Sequence, residues 1–365
     1  MVIYINKLPL YRRSVFKLLD KSYNCNWFID ANTDSSVKCF DENELKVVNK
    51  LHIIKIGPFV WTIGLLKLLK FNTKNYLLAG ATRNISLFIF LVIKFCFFHN
   101  KKVYLWTHGY YGKETYLIRL YKRLLFKLAD GVFLYGNYSK NLMIKDGFIE
   151  SKLHVIHNSL SYDTQLSLRN TSTHTNIYRD HFNNSYPNII FVGRLTREKN
   201  IQLLLDALSI LKSKSEPYNI TFIGDGDIYD DLRVKTHLLD LDKNVWFYGA
   251  SYNEKINAEF LFNADLCVSP GNVGLTAVHS MMFGCPVITH NDFRYQMPEF
   301  ETIVNGRTGA FFKHDDCYDL ANTIHKWFAD NQYKREEIRT NCFEVIDSSW
   351  NPIFQLNVIK SVIND

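Results

Sequence analysis

None of the seven cysteines (Cys25, Cys39, Cys96, Cys267, Cys285, Cys317, Cys342) stands in C-x-x-C spacing, and their number is odd. That pattern argues against both a disulfide framework and a cysteine zinc site, and it fits a reducing compartment. Long apolar runs are missing as well. The longest, from Ile85 to Phe98, contains Lys94 and is too short to span a bilayer comfortably. It reads as a core helix or as one that grazes a membrane surface. The opening MVIYINKLPLYRR enters a strand-like run without a signal-peptide pattern, so a cytoplasmic protein is expected. No zinc-finger, basic-helix or aromatic RNA-binding signature occurs, which sets nucleic acid aside as a partner. There is no internal repeat and no low-complexity segment.

At 365 residues with 47% hydrophobic content, the chain suits two packed domains rather than one. Aromatic residues make up 15%, enough to place some rings at surfaces. The net charge of +7 is unevenly spread: residues 1–180 hold 26 Lys+Arg against 12 Asp+Glu, and the remainder holds 17 against 24. Between Leu51 and Asn100 there are six basic residues and no acidic one. A basic, aromatic first half points to an anionic partner, either a phospholipid surface or a phosphorylated substrate.

Short apolar runs at Val2–Ile5, Trp27–Asp30, His52–Ile56, Tyr76–Ala79, Val103–Thr107, Gly131–Tyr135 and Leu153–Ile156 read as strands. Helical spacing intervenes at Ser14–Lys21, Trp61–Lys70, Ser86–Phe98 and Arg119–Leu128. Such alternation predicts an α/β fold with a parallel sheet covered on both faces. The loop after the first strand has no glycine-rich phosphate motif, so side chains must meet any ligand there. Arg12 and Arg13 are its candidates for an anionic acceptor. Thr107-His108-Gly109-Tyr110-Tyr111-Gly112-Lys113 follows another strand end, where His108 is expected to face a crevice and Tyr110 and Lys113 to meet the acceptor.

From Asp163 to Pro187 the chain turns polar and reads as an irregular linker. The domains are accordingly set at residues 1–165, with 350–365 returning to them, and 186–349. Strands are expected again at Asn188–Val192, Ile220–Ile223, Val245–Tyr248, Val287–Thr289 and Gly309–Phe312, and a final helix from about Pro352 to Ile363. At the centre of the second half lies LCVSPGNVGLTAVHSMMFGCP, residues 266–286, which reads as strand, tight turn and helix, with the strand VITH next. A helix that starts at the carboxyl end of a parallel sheet offers free amides, here those of Gly274, Leu275 and Thr276, and a positive dipole end to an anion. His279 lies about one turn into that helix, in reach of whatever the amides hold. Arg194 and Lys199, just after a strand, are spaced to converge on one anion.

Five motifs of the second half occur in family order: FVGRLTREKN, FIGDGD, VWFYGA, SPGNVGLTAVHSMMFGCPVI and ETIVNGRTGAFF. From Asn188 to Ala329 the chain thereby resembles the nucleotide-sugar-binding domain of the family 4 retaining glycosyltransferases. The first half resembles the family more loosely, through Pro9 to Arg12, Thr107-His108-Gly109, and LYGNYSKNLMIKDGF leading to VIHNSL. The resemblance implies a GT-B architecture of two Rossmann-like doubly wound domains facing a cleft, with a last helix that crosses back. It implies transfer of a sugar from a UDP- or GDP-sugar to a glycan or polyprenyl-diphosphate-linked acceptor, in bacterial O-antigen or capsule biosynthesis at the inner face of the cytoplasmic membrane. Arg194 and Lys199 match the family's basic pair, which would steady the departing diphosphate. His108 would line the donor-sugar side. Gly193, Gly249, Asn272 and Glu301 fall in the motifs that hold the donor. No D-x-D run stands where a metal site would be needed, so no metal and no cofactor is expected. One departure is plain: where the family carries two glutamates with seven residues between them, this chain has Gly271 and His279. Two other classes share the build. A catalytically inactive binder would take nucleotide sugar without turnover, and an epimerase would need cleft carboxylates that the central motif lacks.

Overall fold

In the computed structural model, which describes residues 1–31 and 38–363, the chain forms two compact units. One comprises residues 1–161 with 351–365, the other residues 162–350.

The first unit is built on β1 (Val2–Ile5), β2 (Asn26–Asp30), β3 (Val48–Leu51), β6 (Asn75–Ala79), β7 (Lys102–Thr107), β8 (Gly131–Leu134) and β9 (Leu153–Val155). These pair in the order β3-β2-β1-β6-β7-β8-β9, all in parallel. The central strands are buried on both faces, which is why they read as unbroken apolar runs. Between β3 and β6 the strand expected at His52–Ile56 is present but lies outside the main sheet, and the helix expected at Trp61–Lys70 fails. Here β4 (Ile53–Ile56) and β5 (Phe59–Thr62) form a separate antiparallel hairpin, and only a 3-10 turn, Leu65–Lys70, follows. Gly57 at positive φ makes the tight reversal, and β-branched residues on either side favour strands over the helix that spacing suggested.

Four helices, α1 (Arg13–Tyr23), α2 (Ile85–Phe97), α3 (Tyr116–Lys127) and α4 (Asn137–Lys145), cover this sheet. One core joins Leu87, Phe90, Leu125 and Met143 of α2 to α4 to the strands; the opposite core holds Phe16 and Leu19 of α1.

The second unit begins with α5 (Tyr162–Thr171) and α6 (Ile177–Phe182), where an irregular linker was expected. Its sheet runs β12-β11-β10-β13-β14-β15, again parallel throughout. The strands are β10 (Asn188–Val192), β11 (Asn219–Ile223), β12 (Val245–Gly249), β13 (Leu266–Ser269), β14 (Val287–His290) and β15 (Gly309–Phe312). Helices α7 (Ile201–Ser213), α8 (Tyr229–Leu238), α9 (Glu254–Asn263), α10 (Leu275–Met282), α11 (Cys317–Asn331) and α12 (Arg335–Ser349) connect and close it. Each unit is thus a Rossmann-like α/β body, as the GT-B build requires.

After α12 the last helix, α13 (Pro352–Ile363), belongs to the first unit. Leu356, Ile359 and Ile363 enter the core beside α1, and Gln355 bonds the Ser159 hydroxyl at 2.6 Å and the His157 carbonyl at 3.0 Å.

Candidate functional site

The second unit gathers its candidate residues at the carboxyl ends of β10 and β13. Chain leaving β10 runs through Gly193 and Arg194 into a 3-10 turn, Arg197–Lys199, and chain leaving β13 turns at Pro270 to Val273 before α10. The two loops touch through backbone. The Gly271 amide donates to the Lys199 carbonyl at 2.9 Å, and a Cβ on Gly271 would lie 2.3 Å from the Glu198 carbonyl oxygen. No side chain fits there as the backbone stands.

Lys199 closes the contact with its own side chain. Its Nζ donates to the carbonyl and to the side-chain oxygen of Asn272, both at 2.7 Å. Asn272 is therefore already engaged by a cation. Burial drives the Lys199 ammonium down to about 8; Arg194 pushes the same way, while the carboxylates of Glu299 and Glu198 oppose. Arg194, Lys199 and Glu299 are thus electrical neighbours. Glu299 is buried, in the 3-10 turn Pro298–Thr302, and was not singled out over Glu301, which lies half-buried two residues on.

Thr276, at the second position of α10, donates its hydroxyl to the Val192 carbonyl at 3.0 Å, which docks the helix start on the end of β10 beside Gly193. The N-cap, Gly274, sits at φ 52°, a conformation that suits glycine. The amides of Gly274, Leu275 and Thr276 precede the helix's own hydrogen bonds and remain available to a ligand. Gln296 fixes the loop from below: its side chain accepts from the Val273 amide at 2.9 Å and donates to Thr289 at 2.8 Å and to the His290 carbonyl at 3.1 Å. Neither Gln296 nor Glu299 is announced by spacing. Gly249 ends β12 with open space around its α-carbon, and its carbonyl accepts from the Gly224 amide at 2.9 Å.

His279 is held elsewhere. Its Nε2 lies 2.8 Å from Glu254 at the start of α9, and the same carboxylate oxygen accepts from Gln165 of α5 at 2.8 Å. Burial raises the Glu254 carboxyl, but His279 and Gln165 outweigh it and keep it below the usual range. The site therefore has a carboxylate that sequence reading missed, brought to His279 from another helix.

In the first unit the expected cluster divides. Arg12 lies over the rings of Tyr11, Trp106 and Tyr135, with its carbon 5.2 to 5.5 Å from their centroids, and donates to the Tyr135 hydroxyl. The His108 ring packs 4.6 Å from Tyr135 and stacks on Tyr111 at 5.9 Å. Burial, with Arg12 and Lys122 nearby, holds His108 down at about 4, so it is neutral at pH 7. Arg13 instead pairs with Glu44 at 2.6 Å on the surface. Tyr110 is a correction: it was expected at the acceptor, but its ring is buried and its hydroxyl donates to Asp146 at 2.8 Å. The turn brings this about, since Gly109 at φ 65° abuts Ser139 and the Tyr110 amide bonds that serine at 2.8 Å. Lys113 is exposed beside Tyr111, on a loop that Glu114 clamps by accepting from the amides of Tyr111 and Gly112 and from Lys122.

A cavity of about 680 Å³ opens at the opposite, amino ends of the second sheet, lined by Asn188, Tyr218 and Asp265. It is remote from Lys199 and α10 and plays no part in the site.

Residues 175–344 match the family model described as glycosyl transferases group 1. Among curated proteins the chain is similar to an uncharacterized 41.2 kDa protein in the cps region of Klebsiella pneumoniae, 25% identical over 246 residues, 62% of this chain and 64% of that protein. The chain thus aligns with less than two thirds of that relative's length. Among solved structures it is similar to Anabaena Alr3699/HepE in complex with UDP, with a TM-score of 0.74 at 16% identity and full coverage of both chains. It is also similar to the apo form of the lipopolysaccharide outer core galactosyltransferase WaaB, with a TM-score of 0.72 at 14% identity, covering 100% of this chain and 99% of that one. At such identities these likenesses show the GT-B fold.

Proposed function

We propose that this chain, whose residues 175–344 match the model of group 1 glycosyl transferases, is a retaining glycosyltransferase of bacterial polysaccharide assembly. It would move a sugar from a UDP- or GDP-linked donor to the hydroxyl of a glycan or lipid-linked acceptor. The observation that carries the reading is the Lys199 ammonium fixed on Asn272 at the start of α10, with Arg194 close by and three amides left over. That is a receptacle for a diphosphate. The cps-region relative and the UDP held by a GT-B neighbour support the setting and the donor class.

As the glycosidic bond breaks, negative charge grows on the diphosphate, and groups already aimed at it stabilise that charge without reorganising. In the proposed sequence the acceptor oxygen bonds the sugar carbon on the face that the diphosphate leaves. The leaving phosphate oxygen takes the acceptor proton, so no separate protein base is invoked. Fixed cations and helix amides would do the work of a metal ion. Gly271 contributes no side chain to the sugar, and the Glu254–His279 pair is proposed to meet the ribose hydroxyls. In the first unit Arg12 and Lys113 are proposed for the acceptor's anionic group, and neutral His108 for a hydrogen bond to the transferred sugar.

Incubation with a panel of nucleotide sugars tests the reading. Slow donor hydrolysis with release of nucleoside diphosphate is expected; a changed sugar without release would indicate an epimerase, and binding without turnover an inactive descendant.

A further inference from the structure

Helix α3 turns much of its apolar surface outward. Tyr116 is 78% exposed, Leu117 74%, Leu120 41% and Leu124 52%, while Lys122, Leu125 and Phe126 face the core. Residues 116, 120 and 124 recur every four, so they form one stripe, with 117 beside it. Arg119, Arg123 and Lys127 form a neighbouring stripe at the same spacing. Arg119 pairs with Asp146 at 2.8 Å, but Arg123 and Lys127 have no acidic partner among the described residues.

The patch continues onto α2. Phe88 of that helix packs its ring 5.8 Å from Tyr121 of α3, and Val92 and Phe95, exposed at 36% and 58%, extend the stripe that Phe88 begins. The opposite side of α2 is committed to the core through Leu87, Phe90 and Leu91. Contiguous exposed apolar surface of this kind marks an interaction site on a soluble body.

We propose that this face of α2 and α3 docks on an anionic lipid bilayer. It rests on the lipid-linked acceptor of the reading above and gives a location for contact with the membrane that would present it. Apolar side chains flanked by cations suit the boundary between acyl chains and phosphate headgroups. A second copy of the chain is the poorer match, because two such faces would bring their cations together in the strongly basic half of the protein. No described helix is long and apolar enough to cross a membrane, so the contact is superficial.

Co-sedimentation of the full chain with phosphatidylglycerol vesicles, and with phosphatidylcholine vesicles beside them, tests the proposal with neither donor nor acceptor present. A failure here therefore leaves the donor chemistry standing. Binding to phosphatidylglycerol is expected, weakened on the order of tenfold or more by Leu117→Glu with Leu124→Glu. Arg123→Glu with Lys127→Glu should weaken it too, while leaving the weaker binding to phosphatidylcholine alone. Unchanged thermal unfolding would show that each variant folds. Wild-type protein left in the supernatant, or a leucine variant that binds as well as wild type, overturns the proposal. So does a wild-type dimer in solution that the leucine variant converts to monomer.

Discussion

Lys199 has the most to lose from a change in its surroundings. Its proton is held to about pH 8 rather than the usual 10.5, because burial disfavours the charge and Arg194 adds to the effect. As pH rises through 8 the empty site loses a cation, so affinity for UDP or GDP should fall between pH 7 and pH 9. Calorimetric titration at the two values measures this. Lys199→Arg, which stays charged, should abolish the decline even if it binds less well at neutral pH. Replacing either Arg194 or Lys199 by alanine should lower kcat by roughly a hundredfold to a thousandfold, the cost of one missing transition-state partner. Full activity in both variants would remove the diphosphate assignment. His279→Ala and Glu254→Gln should each weaken nucleotide binding by about tenfold, the size of one lost hydrogen bond. If UDP and its 2′-deoxy analogue lose equally, the pair is not on the ribose. The spacing of His279 placed it one turn into α10, but its partner comes from a helix about 25 residues earlier in sequence, and no local pattern announces that.

At the scale of elements, the turn at Arg197–Lys199 and the start of α10 form a single part, because Gly271 lets one backbone rest on the other. Gly271→Ala should destabilise the protein by about 1 to 3 kcal/mol, as overpacking does, and loosen donor binding in the same step. Gly271→Glu should do worse, even though it restores the carboxylate usual in the family. Urea unfolding of the two variants, read beside UDP affinity, checks both halves. The strands around this part were legible because a parallel sheet buried on both faces leaves short apolar runs punctuated by glycine. The helical nature of α5 and α6 was not. Their sequences are polar and weakly periodic, and their order comes from contacts made far away, such as Tyr178 bonding the Phe260 carbonyl at 2.8 Å. The hairpin of β4 and β5 was missed for a related reason: its apolar residues suit either period until pairing decides.

For the whole molecule, acid should be damaging. His108, His157 and His290 are each held at about 4, with burial the leading cause in every case. Between pH 6.5 and 4 the unfolded chain takes up protons at these sites and the folded chain does not, so stability falls as pH falls. The slope is at most about 1.4 kcal/mol per pH unit for each group. Asp30, which burial raises to about 6, works the other way over part of the window and offsets one of the three. Chemical denaturation at pH 7 and pH 5 should show a net loss at the lower value, and an unchanged midpoint would refute the histidine account. The GT-B build was readable from five motifs in order, whereas the assignment of cations was less so. Several of the basic residues are internal props, such as Lys94 on Asp130 at 2.5 Å and Lys101 on the Phe71 carbonyl at 2.8 Å. Composition counts them without saying which way they point.

The placing of α13 bears on how the protein is made. Because Leu356, Ile359 and Ile363 complete a core begun by the first strand, the first unit cannot finish folding until this helix has been made, while the second unit has all its parts beforehand. A released chain truncated just short of Pro352 should therefore hold a protease-resistant second half joined to a more digestible first half.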